Sequence, residues 1–213
     1  MPALASSDGI VEHARLLTRR RVFYCMSMPL ADRIWTVDAV RALPDDGNRY
    51  EVIDGELFVT PAPSWTHQNA VMRLYRTLAA YLDREPYAHA MLAPADVTFS
   101  RGRSVQPDLF IVPLVEGSRP PRHFDEVRRL LLTVEMLSPT TARADRVAKR
   151  VLFREESVAE YWVVDLDART VERSTPADPR VEIIADRLEW NVAGASTPLV
   201  IDLPSYFAEV LGG

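Results

Sequence analysis

Two periods alternate along the chain. After Ser64, apolar Val71, Leu74, Leu78 and Leu82 recur at helical spacing, and Ser64 is a residue type that caps a helix start. This predicts a helix through HQNAVMRLYRTLAAYL. Upstream, TVDAVRALP reads as a short helix capped by Thr36 and stopped near Pro44. YEVIDGELFV places Asp54-Gly55 between two apolar stretches. A tight hairpin turn needs positive φ, and Gly supplies it, so Asp54 is explained by the turn. Pro61 and Pro63 end the hairpin.

Downstream, residues 95–100 read as a strand, RGR as a turn, and SVQPDLFIV as one further strand. RLLLTVEML is a strongly apolar strand, Ser138 to Thr141 start a helix running to about Glu156, and AEYWVVDL is another strand. The VDLDARTVE stretch turns at Asp167-Ala168, weaker β pattern continues to residue 203, and SYFAEVL closes the chain as a short helix. From Ser64 onward the order is helix, strand, strand, strand, helix, strand. That order predicts an α/β (α+β) fold in which helices flank a mixed central sheet, extended by a hairpin at each end. Tyr161 and Trp162 are expected to pack the sheet.

Residues 1–25 lack such a pattern. They are expected to be a disordered tail or a mis-annotated start, with translation beginning at Met26 or Met28 and residues 26–213 forming one domain. Arg19 to Arg21 form a short basic run within that segment.

At 213 residues, with 47% hydrophobic and 26% charged positions, the chain has the size and composition of one globular domain. No apolar run is long enough to cross a bilayer, so no membrane role is expected. Cys25 is the single cysteine, which excludes an internal disulfide, and no Cys/His cluster suggests zinc. A cytoplasmic setting is the expectation. A net charge of −5 argues against a broadly basic nucleic-acid surface and leaves room for a local basic cleft.

One lysine, Lys149, stands among 25 Lys and Arg residues. An ammonium is a compact point charge, whereas guanidinium is a wide planar fork, so a site that keeps lysine in an arginine-rich chain can require the former. On that fact alone, chance and solvation are the better explanation of a lone lysine, since charged residues are mostly at the surface.

Glu135 lies inside the apolar run LLLTVEML, where a carboxylate is costly unless paired or metal-bound. Asp108 enters the apolar strand after Pro107. Asp145 and Lys149 are four apart on the following helix and share a face, at the border of an expected apolar stripe of Val147, Ala148, Val151 and Leu152. Structural ion pairs explain each of these residues singly. Together, two acids on neighbouring strands and a lysine suit phosphodiester hydrolysis. Hard oxygens hold Mg²⁺, the ion polarises a phosphoryl oxygen and acidifies water, and an ammonium stabilises developing charge.

The segments YEVIDGEL, PAPSWTHQ, DVTFS, QPDLFIV, VEMLSPTT, Asp145-x-x-x-Lys149 and EYWVVD resemble, in this order, the Uma2 family of endonuclease-like proteins within the PD-(D/E)XK nuclease superfamily. The resemblance covers residues 34–211. It implies a restriction-endonuclease-like core with an added N-terminal β-hairpin. Asp108 and Glu135 would then be the first and second acids, and the Met136 backbone carbonyl a further metal ligand. The superfamily pattern puts lysine two residues after the second acid, where this chain has Leu137; Lys149 on the next helix becomes its counterpart. His67 and Gln68 would lie near the cleft as accessory residues, with Asp145. Glu51, Glu56 and Asp96 would be supporting residues at most.

Two functions remain open on the sequence. One is a Mg²⁺-dependent DNA endonuclease, with Mn²⁺ as a substitute, acting as a homodimer on duplex DNA. The other is a nuclease-fold module that binds nucleic acid or a protein partner without cleaving it.

Overall fold

The computed structural model describes residues 34–115, 119–127 and 129–212. The expectations for residues 1–25, including the translation start, the arginine run and Cys25, lie outside the described residues.

Thr36 accepts the Ala39 N–H at 3.2 Å and opens α1 (Val37–Arg41). Strands β1 (Arg49–Ile53) and β2 (Glu56–Thr60) pair antiparallel around the expected turn, with Asp54 at φ 51° and Gly55 at φ 84°. Ser64 accepts the His67 N–H at 3.2 Å and starts α2 (Trp65–Arg84), which buries Val71, Leu74, Leu78 and Leu82 as its spacing requires.

β3 (Ala88–Leu92) was not expected from the sequence. Its run AHAML carries no β-branched residue, so only pairing with a neighbour makes it a strand. The expected strand 104–112 is two strands instead. β4 (Val97–Ser100) turns into β5 (Arg103–Val105), the chain breaks at Gln106-Pro107, and β6 (Leu109–Pro113) enters a different sheet. Pro107 has no N–H to continue a ladder, which is why the break falls there. β7 (Leu132–Met136) is followed by a π-helical segment, Ala144–Lys149, that runs into α3 (Arg150–Glu155). β8 (Glu160–Asp165), β9 (Thr170–Thr175), β10 (Asp178–Ile184), β11 (Arg187–Trp190), β12 (Leu199–Asp202) and α4 (Leu203–Leu211) complete the described chain.

A six-stranded mixed sheet, in the order β10-β9-β8-β7-β6-β3, forms the centre; β7 and β8 are parallel and the other pairs antiparallel. The turn after β8 adds β9 and β10 to this sheet, as expected, whereas β11 and β12 pair as a separate two-stranded sheet. The N-terminal hairpin does not extend the central sheet: it joins β5 and β4 in a second sheet, β2-β1-β5-β4.

Alternation sorts the central strands by face. Leu109, Ile111, Leu132, Val134 and Met136 pack with Leu74, Leu78 and Phe207 on the α2 and α4 side. Phe110, Val112, Tyr161 and Val163 pack with Leu152, Phe153 and Val105 on the α3 side. Strands buried on both faces read as continuous apolar runs, which is why the acids within them stand out. Among the described residues no helix is long and apolar enough to cross a membrane.

Candidate active site

The period of two decides where the acids point. Glu135 alternates with Val134 and Met136, so it leaves the α2 side and turns toward α3. The β6–β7 register pairs Leu109 with Val134, and one step further Asp108 faces Glu135. Asp108 has the parity of Phe110 but precedes β6, at the end of the strand, where it meets His67 of α2 as well as Arg49 of β1. Asp108, Glu135, Asp145, Lys149 and Glu51 are all nearly fully buried.

Lys149 is the hub. Its Nζ donates to Glu135 Oε1 at 2.9 Å, lies 3.0 Å from Glu51 Oε2 and stands 3.5 Å from Asp145 Oδ1. One of its donors is committed to Glu135, and the ammonium also pairs with Glu51 and faces Asp145, whose Oδ1 has no hydrogen bond. The expected placement of Lys149 and Asp145 at a stripe border is overturned. Val147 is 58% and Val151 38% exposed, while Asp145 and Lys149 are 1% and 2% exposed. The helix inverts the usual rule because its polar pair finds carboxylates inside. The π-helical winding over Ala144–Lys149 shifts the register that a regular helix would give these positions, and such segments recur at functional sites.

Asp108 sits at the mouth. Its Oδ1 accepts from Arg49 Nη1 at 3.0 Å; its Oδ2 accepts the Met136 N–H at 2.8 Å and lies 3.2 Å from His67 Nε2. Burial opposes the Asp108 carboxylate, but the hydrogen bond and charge of His67, the charge of Arg49 and the Met136 N–H outweigh it, holding the pKa at about 2. Glu135 moves the opposite way. Burial first, and then the charges of Asp108, Asp145 and Glu51, push it well above the ordinary value despite Lys149. Asp145 is raised by burial and by Glu51 and Asp108, against Lys149 and Thr141. Burial lowers the Lys149 ammonium, but Glu135, Glu51 and Asp145 outweigh it and keep the group charged.

Sequence reasoning missed Arg49 and undervalued Glu51. Both lie on β1 two residues apart, hence on one face. Arg49 reaches Asp108 and also donates to the Gln106 carbonyl at 3.0 Å, while Glu51 reaches Lys149 and accepts the Gln106 N–H at 2.7 Å. The second sheet therefore carries two of the six charged groups of the site, Arg49 and Glu51. A hint was present: Glu51 alternates into a strand whose Val52 and Ile53 are apolar. Asp96 joins indirectly, accepting from Gln106 Nε2 at 2.8 Å. Glu56 is exposed and takes no part. Asp54 accepts from Arg103 Nε at 2.6 Å, beside its turn role. Tyr161 packs the sheet as expected and donates to the Asp145 carbonyl at 3.0 Å. Gln68 lines a shallow cleft over Asp108 together with Arg49, Val71, Met72, Leu92 and Ala93.

Four carboxylates, Glu51, Asp108, Glu135 and Asp145, face two fixed cations, Arg49 and Lys149. When all four are ionised their hard oxygens exceed the cations by two charges, which a divalent cation would balance; Asp108 and Arg49 are the members that line the cleft. Among the described residues no three His, Cys, Asp or Glu side chains form a ready-made cage. Mg²⁺ does not need one, because it takes one or two carboxylates and keeps several waters.

The Uma2 family model, described as "Putative restriction endonuclease", matches residues 37–198. A solved structure described as "a putative nuclease belonging to DUF820 from Anabaena variabilis" aligns with TM-score 0.68 at 20% identity, covering 83% of this chain and 99% of the other. At that identity the likeness establishes the fold. No curated protein matches the chain. The chain belongs to the Uma2 family and has a nuclease fold.

Proposed function

We propose that this Uma2 member is a metal-dependent DNA endonuclease that hydrolyses phosphodiester bonds at Asp108, Glu135 and Lys149. One observation carries the reading. Elements far apart in the chain bury four carboxylates and two cations close together, and two of these groups, Asp108 and Arg49, line a cleft. Burying so much charge is a poor way to stabilise a fold, so its placement calls for another use.

Asp108 and Glu135 would hold Mg²⁺ or Mn²⁺, with the Met136 backbone carbonyl as a further oxygen. A bound ion supplies positive charge at a phosphoryl oxygen and acidifies a water. Arg49 and the Met136 N–H keep Asp108 ionised and oriented, and His67 fixes it from the α2 side. Lys149 orients Glu135 and counters its charge. Gln68 and the exposed part of Arg49 face the incoming strand from the cleft. The homodimer is required only for cutting both strands of a duplex, and sedimentation tests it.

The test is plasmid nicking with Mg²⁺ or Mn²⁺ against an EDTA control, paired with melting curves. Metal should raise Tm in the wild type, and Glu135→Gln should remove both the nicking and the shift. Equal metal responses in the two proteins would misplace the site.

A second reading has its own support. Asp108 already accepts from Arg49 and Met136 and touches His67, and Lys149 is surrounded by acids. A site so fully paired suits a nuclease-fold module that binds nucleic acid or a protein without cutting. DNA binding with no nicking under any metal would favour it.

A further inference from the structure

Trp65 is 87% exposed, whereas the chain's other tryptophans, Trp35, Trp162 and Trp190, are 9%, 0% and 3% exposed. An indole is the side chain with most to gain from burial, so a fully displayed one is unusual. Its backbone is fixed as the first residue of α2, immediately after the Ser64 cap. Trp65 neighbours the cleft through Gln68, one turn further along the helix, which lines the cleft over Asp108. Trp65, Gln68 and Met72 follow the spacing of one helix face. Gln68 and Met72, the latter 49% exposed, line the same cleft as Asp108 and Arg49. The face therefore runs from the scissile position out to a free aromatic plane.

The cleft is poor in charge for a duplex binder. Its only lining cation is Arg49, and that guanidinium is already bonded to Asp108. Duplex recognition draws its affinity from many Lys and Arg contacts to phosphates. A single strand also needs cations for its phosphates, but it offers open base faces as well, and each stacked base adds affinity without regard to sequence. In a duplex those faces are closed, and opening them costs several kcal/mol per step.

We infer that the α2 face of Trp65, Gln68 and Met72 is a base-stacking platform and that the substrate of the site is single-stranded DNA. This deepens the nuclease reading and rests on it. Trp65 stacks on a base flanking the phosphate at Asp108, Gln68 offers its amide to that nucleotide, and Met72 supplies an apolar wall.

Trp65 is the one solvent-facing tryptophan, so the fluorescence difference between wild type and Trp65→Phe reports this spot. Titration of the full chain with oligothymidylate in EDTA should quench the fluorescence. Anisotropy with a labelled oligonucleotide should show single strand bound more tightly than the duplex of the same sequence. Trp65→Ala should weaken single-strand binding by about 10- to 100-fold, and Trp65→Phe, which keeps an aromatic plane, by less than about fivefold. Duplex bound as tightly as single strand, or unchanged binding by Trp65→Ala, overturns the inference. So does a drop in sedimenting mass for Trp65→Ala, which would make the indole part of a protein interface. Hydrolysis of bis(p-nitrophenyl) phosphate by the wild type with Mn²⁺ separates the two readings. If it fails while stacking holds, the nuclease reading falls and the platform stands.

Discussion

The helical segment after β7 carries two ion networks on opposite sides, built from different cations. Inward, Lys149 meets Glu135, Glu51 and Asp145 in a space almost closed to solvent. Outward, Arg146 bonds Glu172 at 2.6 Å and Asp165 at 2.8 Å, and Arg150 bonds Glu172 at 2.5 Å, all partly exposed. The outer network uses planar forks that span two carboxylates from β8 and β9. The inner one uses a compact ammonium at the meeting point of three acids, where a fork would fit one carboxylate and clash with the rest. The single lysine of the chain is thus in the one described place where three buried carboxylates converge on a cation.

The largest expected effect is on the inner side. Lys149→Met leaves three buried acids facing each other and should cost about 3–5 kcal/mol in denaturant unfolding. Lys149→Arg keeps the charge but overfills the space. It should lose about 1–3 kcal/mol, more than a residue at a helix border would, and its nicking should fall about 10²–10³-fold. Full activity and full stability in Lys149→Arg would erase the contrast between the networks.

Next comes the β1 contribution. Glu51→Ala removes one partner of Lys149 and the acceptor of the Gln106 N–H. A cost of about 1–3 kcal/mol is expected, with reduced nicking. A silent Glu51→Ala would confine the site to the central sheet.

The outer network should prove weak. Arg146→Ala should cost less than about 1 kcal/mol, because Arg146 is partly exposed and Glu172 keeps its pair with Arg150. Molar sodium chloride should shrink that cost further while leaving the Lys149→Met cost nearly intact.

The smallest effect is in pH. Burial opposes the Asp165 carboxylate, but the Ala168 N–H, Arg146 and the Asp167 N–H hold it below its ordinary 3.8. A carboxyl lowered on folding stabilises the protein above its unfolded value and loses that contribution as pH falls through the folded one. The stability gap between wild type and Arg146→Ala should therefore be constant down to about pH 5 and narrow as the medium drops below about pH 4. A gap that widens on acidification would show that Asp165 is not the partner that matters.

How much was legible differs by element. The hairpin at Asp54-Gly55, the Ser64 cap and the apolar stripe of α2 were readable, because positive φ, capping and helical period are set by residues within a turn of one another. Asp108, Glu135 and Lys149 were visible as anomalies, charges within apolar surroundings or a lone residue type. β3 was not readable, since AHAML becomes a strand only by pairing with β6.

The sequence by itself determined the local elements, the family and the residues able to do chemistry. Tertiary structure decided how they meet. It split 104–112 at Pro107 into two sheets, brought Arg49 onto Asp108 across 59 residues, and set Glu51 on Lys149. It also turned Asp145 and Lys149 inward while leaving Val147 and Val151 outside. The physical reason is range. Dihedral preference and hydrophobic period act between near neighbours along the chain, whereas the energy of a buried charge depends on which opposite charges the whole fold places within about 4 Å of it.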